Sequence, residues 1–187
     1  NQTAAYNSQT IIKIDNELMN FVSSSGSTVL GYWTLNGDLA DTDNVVLVKD
    51  NPTSLFPTQS GLIGIDGTEY VSYASITPNT GTNQLDGSID DTVTTITVDS
   101  TSSFASSGFI LIESEIIEYT GKTETDFTGC IRGSRGSTND SHADNTIVTQ
   151  IGSLNGCVRG LYGSSAANWT NGDSIDYLPT LTVVRGA

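Results

Sequence analysis

Gly108-Phe109-Ile110-Leu111-Ile112-Glu113-Ser114-Glu115-Ile116-Ile117-Glu118-Tyr119 decides the fold. Two apolar runs flank a small acidic turn, and an aromatic closes the second run. β-branched residues crowd both runs, so the stretch predicts a β-hairpin. Gly61 to Tyr73 shares the layout, with Asp66 and Glu69 around the turn, and Ile12 to Phe21 shares it with Asp15 and Glu17. A hairpin written three times points to a scaffold more than to an enzyme.

A second pattern follows the first. An apolar residue, one more residue and a glycine recur as Leu35-Asn36-Gly37, Leu85-Asp86-Gly87, Phe127-Thr128-Gly129 and Leu154-Asn155-Gly156. The last two extend to Gly129-Cys130-Ile131-Arg132-Gly133 and Gly156-Cys157-Val158-Arg159-Gly160. Leu181 to Gly186 reads as a fifth copy stopped midway. All four arginines, Arg132, Arg135, Arg159 and Arg185, precede a glycine. Glycine there supplies a backbone conformation that a β-carbon disfavours.

No window of about twelve residues sustains a 3.6-residue period, so helices are not expected. Val45-Val46-Leu47-Val48 is a continuous apolar strand, and Thr95 to Asp99 alternates with the period of a half-buried one. Aligned on these, Val48 matches Val98, Phe56 matches Phe104, Ile65 matches Ile112 and Tyr73 matches Tyr119. Segments 134–150 and 161–178 align as one excursion, with His142 opposite Trp169. The expectation is an all-β chain of tandem hairpin units. Residues 1–44 form a partial unit with an arm, 45–91 and 92–150 the main units, and 151–187 a partial unit. Exposed strand edges in such units call for strand exchange between subunits, and hence a homo-oligomer.

The chain has 187 residues and a formal charge of −14. That charge repels nucleic acid and anionic membranes. No apolar run approaches the roughly 20 residues of a membrane-spanning helix. The start, Asn1-Gln2-Thr3-Ala4, has no initiator Met and no signal peptide, and reads as a processed chain or a fragment.

Each residue with chemistry has a structural reading beside the functional one. The turn carboxylates recur in every unit, whereas an active site is single, so they read as solvated turns that guard hairpin edges. Asp38, Asp41 and Asp43 are the densest oxygen cluster, but they lack the spacing of a calcium loop, so a calcium reading rests on density alone. His142 is the only histidine. No nucleophile elbow accompanies it, and Trp169 at the matching position argues for a flat ring over a proton shuttle. Cys130 and Cys157 sit at equivalent positions, which favours two small buried residues over a disulfide. Arg132 and Arg159 are expected to grip carboxylates of the preceding hairpin, Glu113, Glu115 or Glu118, and to fix register within a unit or across subunits. Trp33, Tyr162 and Trp169 lie in or near loops and are candidates for stacking on a sugar, although core packing is the stronger reading. No cofactor is called for.

Residues 95–148 resemble segments of virion structural proteins of tailed bacteriophages, marine and cyanobacterial phages among them. The shared cassette is carried here by Val98-Asp99, Ser107-Gly108, Ile110 to Tyr119, Thr120-Gly121-Lys122-Thr123, Gly129 to Gly133 and Ser141 to Asp144. The chain departs from it at Asn145, where glycine is usual, and at Trp169 in the later copy. The resemblance implies assembly and attachment, with no catalytic residues. It implies a subunit located in the virion with other virion proteins as partners, and the expectation is a tail, baseplate or fibre component. A receptor- or glycan-binding adhesin module and a head decoration protein are the alternative readings.

Overall fold

The computed structural model describes residues 10–14, 17–21, 33–50, 52 and 60–178. Among them every regular element is a strand, and all pairing is antiparallel. The chain divides into two compact units, 1–30 and 31–187. In the first, β1 (Thr10–Ile14) pairs with β2 (Glu17–Phe21), with Ile14 opposite Glu17.

The second unit holds two sets of strands. One comprises β3 (Trp33–Thr34), β4 (Val45–Val48), β5 (Gly61–Ile65), β6 (Glu69–Tyr73), β7 (Ser75–Thr77), β15 (Gly152–Asn155) and β16 (Ser174–Leu178). Its sheets run β3-β16-β5-β6 and β4-β15-β7. The other comprises β8 (Thr82–Gln84), β9 (Thr95–Thr97), β10 (Gly108–Ile112), β11 (Glu115–Tyr119), β12 (Gly121–Lys122), β13 (Asp126–Thr128) and β14 (Ile147–Gln150). Its sheets run β8-β14-β10-β11 and β9-β13-β12. The two sets pair strand for strand in the same order. Ile175 faces Ile65 as Val148 faces Ile112, and Leu154 faces Val46 as Phe127 faces Ile96.

The connectivity differs from a tandem. Residues 45–77 take their partners from 152–178, so the strands do not group by the 45–91 and 92–150 boundaries read from the sequence. The set at 82–150 instead occupies the connection between β7 and β15. In the 82–150 set the matching connection, from β12 to β13, is a short turn closed by the Thr123 N–H to Asp126 and the Asp126 N–H to Thr123. We refer to 33–77 with 152–178 as the outer set, and to 82–150 as the inner set.

Alternation decides which side chains go inward. In β6, Glu69, Val71 and Tyr73 are buried while Tyr70 and Ser72 are half-buried. Trp33, Leu35, Val46, Ile63, Leu154 and Ile175 form the outer core. Leu85, Ile96, Ile110, Ile117, Phe127 and Val148 form the inner core. A third cluster, Leu47, Phe109, Ile116 and Ile151, draws on both sets and joins them. Asp66 and Glu113 turn their hairpins with φ of 48° and 54°, the left-handed region that short acidic or amide side chains tolerate best.

The apolar-x-glycine pattern resolves into two different turns. Gly37 and Gly87 follow β3 and β8 with φ of 104° and 94°, whereas Gly129 and Gly156 follow β13 and β15 with φ of 63°. Phe56, Arg185 and the segment Leu181 to Gly186 lie outside the described residues.

Candidate functional site

The first residue of the second hairpin strand is a buried glutamate in both sets, Glu69 in β6 and Glu115 in β11. A carboxylate buried this deeply is costly unless donors replace its water. Five donors meet each one. The Arg132 Nε and Nη2 donate to Glu115 Oε1 and Oε2 at 2.7 and 2.8 Å. The N–H groups of Gly133 and Asp140 add bonds of 3.0 and 3.3 Å. The Nε2 of His142 lies 2.7 Å from Oε2. Glu69 repeats this arrangement with Arg159 Nε and Nη2 at 2.5 and 2.8 Å, Gly160 and Ala167 N–H at 3.3 and 3.2 Å, and Trp169 Nε1 at 2.6 Å.

The arginines use four of their five N–H donors. Arg132 donates onward to the carbonyls of Asp90 and Asp140, and Arg159 to those of Ala40 and Ala167. Each guanidinium thus ties a hairpin, a turn after the first strand and the excursion into one knot. Burial pushes the carboxyls of Glu115 and Glu69 up. The arginine and ring donors together with the backbone N–H groups outweigh it and hold both below their ordinary value.

Several sequence expectations change here. Arg132 does take the hairpin before it, and of Glu113, Glu115 and Glu118 it takes Glu115. Arg159 takes none of the three. Its partner is Glu69, 90 residues away, because the hairpin before it in the sequence belongs to the other set. Glu113 is largely exposed, and its Oε2 lies 2.8 Å from His142 Nδ1. Glu118 pairs through its backbone with Ile131. Both arginine pairs lie inside one chain, with 6% of each arginine and 1% of each glutamate side chain exposed.

His142 and Trp169 do occupy matching places. What they share beyond flatness is a ring N–H aimed at the clamped carboxylate, which only His and Trp among ring side chains can offer besides the Tyr hydroxyl. That restriction was a usable signal in the sequence.

Trp33 is 4% exposed and belongs to the outer core, so it cannot stack on a ligand. Trp169 is half-buried and committed to Glu69. Tyr162 alone stands out, 79% exposed, with its ring edge-on to Tyr70 at 6.3 Å. The three do not make a common patch. Cys130 and Cys157 are free and buried, each donating to the carbonyl three residues back, Phe127 or Leu154. Burial pushes each thiol up to about 11.

Asp38, Asp41 and Asp43 do not converge. Asp43 accepts from Arg135 and from the Ala40 N–H, and Asp38 from the Asn171 N–H. Asp41 gives its N–H to Asn168. Among the described residues no group of three or more His, Cys, Asp and Glu side chains is placed to hold a metal ion. A cleft of about 290 Å³ between the two sets is lined by Asn36, Asp38, Glu113, Arg135 and Asn171, whose side chains are largely bonded to one another or to the surrounding turns.

Comparison with protein-family models, with curated proteins and with solved structures finds no match to this chain.

Proposed function

We propose that this chain is a non-catalytic structural subunit of a tailed-phage virion, in the tail, baseplate or a fibre, and that it acts by assembly. The observation that carries the reading is the twin clamp. The buried carboxylates, guanidiniums and rings that would equip an active site are spent on one another, in the same geometry twice. A catalytic carboxylate needs a lone pair or a proton free for substrate. Glu69 and Glu115 each face five donors instead. The cassette resemblance over 95–148 supports the virion assignment, and the acidic surface fits partners that are proteins.

On this reading the outer and inner sets are two copies of one hairpin unit, the second carried in a connection of the first. The outward edges of β6 and β11 are covered by 158–164 and 131–137 of the same chain, so neighbouring subunits or other virion proteins dock on loops and turns. A glycan- or receptor-binding role is the second reading, and exposed Tyr162 is the feature in its favour.

The test is immunogold microscopy on particles of the virus that encodes the chain. Gold on the tail, baseplate or fibres supports the proposal. Gold on the head moves the chain to a decoration role, and particles without gold overturn the virion reading.

A further inference from the structure

The contact between the two sets has a direction. The inner set offers the excursion loop 133–137, and the outer set offers the turn 36–43 together with β4. The Asp38 N–H donates to the Arg135 carbonyl at 2.8 Å, and Arg135 Nη1 pairs with Asp43 at 2.7 Å. Arg135 also lies over the Phe109 ring, 5.0 Å from its centre. The fit is close. A β-carbon on Gly37 would meet Ile116 and Arg135 at 2.7 and 2.8 Å, and one on Gly136 would meet Asp38 at 2.2 Å.

Each set also carries the face that the other uses, and among the described residues nothing covers those two faces. The outer set's excursion loop, 160–164, places Tyr162 where the inner has Arg135, and the two share the left-handed φ, 54° against 55°. The inner set's turn 86–93 matches 36–43, with the Gly87 N–H bonded to Asp144 as the Gly37 N–H is bonded to Asn171. A β-carbon on Gly163 or on Gly87 would meet nothing within 4 Å. The Ser88 N–H and the Tyr162 carbonyl, counterparts of the Asp38–Arg135 bond, take no partner among the described residues. Among the described residues, a protruding loop therefore stands uncovered at one face and an acceptor turn at another.

We infer that a second copy of this chain docks head to tail, the Tyr162 loop of one copy on the Gly87–Ser88 turn and β9 of the next. Two unlike faces on one molecule make a heterologous contact, which runs on into rings or filaments. Tyr162, backed by Tyr70, is the anchor. Its seat holds Thr95 and Thr97 where the internal contact has Val45 and Leu47, so the external contact is weaker than the internal one and depends on concentration. This inference deepens the assembly reading by naming the partner.

Sedimentation velocity over a concentration series, on the full chain and two variants, tests it. Tyr162→Asp spoils the loop face and Thr95→Asp the acceptor face. Both sites are exposed, and far-ultraviolet circular dichroism and melting temperature verify that each variant folds. The wild type is expected to form a series of dimers, trimers and larger species. Each variant alone is expected to associate at least about tenfold more weakly. An equal mixture of the two retains one sound contact, so it is expected to give dimers and nothing larger. A wild type that stays monomeric up to about 1 mM overturns the inference. So does association that survives either substitution, or a mixture that stays monomeric. Gold-labelled particles combined with a monomeric chain would leave the virion reading standing and sink the head-to-tail contact alone.

Discussion

Replacing Glu69 by glutamine keeps the shape of the clamp and removes its charge. Oε2 faces three donors, Arg159 Nη2, Ala167 N–H and Trp169 Nε1, and Oε1 faces two. Whichever way the amide turns, its NH₂ meets groups that only donate. Arg159, 6% exposed, is left as a buried charge without a counter-ion. Breaking a buried pair by removing one partner costs about 3–5 kcal/mol, and Glu69→Gln is expected in that range. Arg159→Met removes the orphaned charge, so the double variant should cost less than the sum of the singles by about 2 kcal/mol or more. Equilibrium urea unfolding reads the loss, and hydrogen exchange locates it. Amides of β5, β6 and β16 should open before those of β10, β11 and β14. A cost below about 1 kcal/mol, the size of an exposed ion pair, would refute the reasoning.

Four other outcomes are expected. Glu69 and Glu115 have folded pKa values below the ordinary 4.5, so the native state binds fewer protons than the unfolded chain; stability holds above that pH and drains as pH falls through the folded values, which urea midpoints between about pH 6 and about pH 3 will follow. His142→Phe keeps a flat ring but drops the bonds to Glu113 and Glu115, and is expected to cost about 1–3 kcal/mol, whereas no change in the urea midpoint would remove the ring N–H from the account. Gly136→Ala and Gly163→Ala share the penalty of a β-carbon at φ of 78° and 84°, about 1–2 kcal/mol, but only Gly136→Ala also collides with Asp38, so the difference in melting temperature measures the contact between the sets. Cys130 and Cys157 should resist a thiol reagent in the native chain and both react once it unfolds, since each thiol is buried and held up at about 11.

The local elements were legible because each has a strong period or turn of its own. The hairpins around Glu69 and Glu115 follow from apolar runs broken by an acidic turn, and the equivalence of His142 and Trp169 follows from alignment alone. The partner of Arg159 was not legible. A motif alignment reports which segments are alike but not which of them pair, and a copy placed inside a connection looks the same on paper as a copy placed after it. For Trp33 the stronger reading, core packing, holds, but β3 is two residues long, too short to show alternation, so nothing local marks its side chain as inward. The two kinds of glycine turn were merged because Leu35 and Leu154 precede the same Asn-Gly pair. Only the strand that each one ends separates them.

The connection between β7 and β15 also sets an order of events during synthesis. Residues 33–77 leave the ribosome with β5 and β6 able to pair, yet β16 and β15 are still unmade. The intervening 78–151 take about 4–15 s to translate at about 5–20 residues per second. The inner set is complete within that stretch and can fold first. Its finished surface, Phe109 and Ile116 included, is then available to hold Leu47 in place before β15 arrives. A nascent chain held at the point where residue 151 has just cleared the ribosome would therefore carry one folded set and one waiting half, and the waiting half is where a chaperone would be needed.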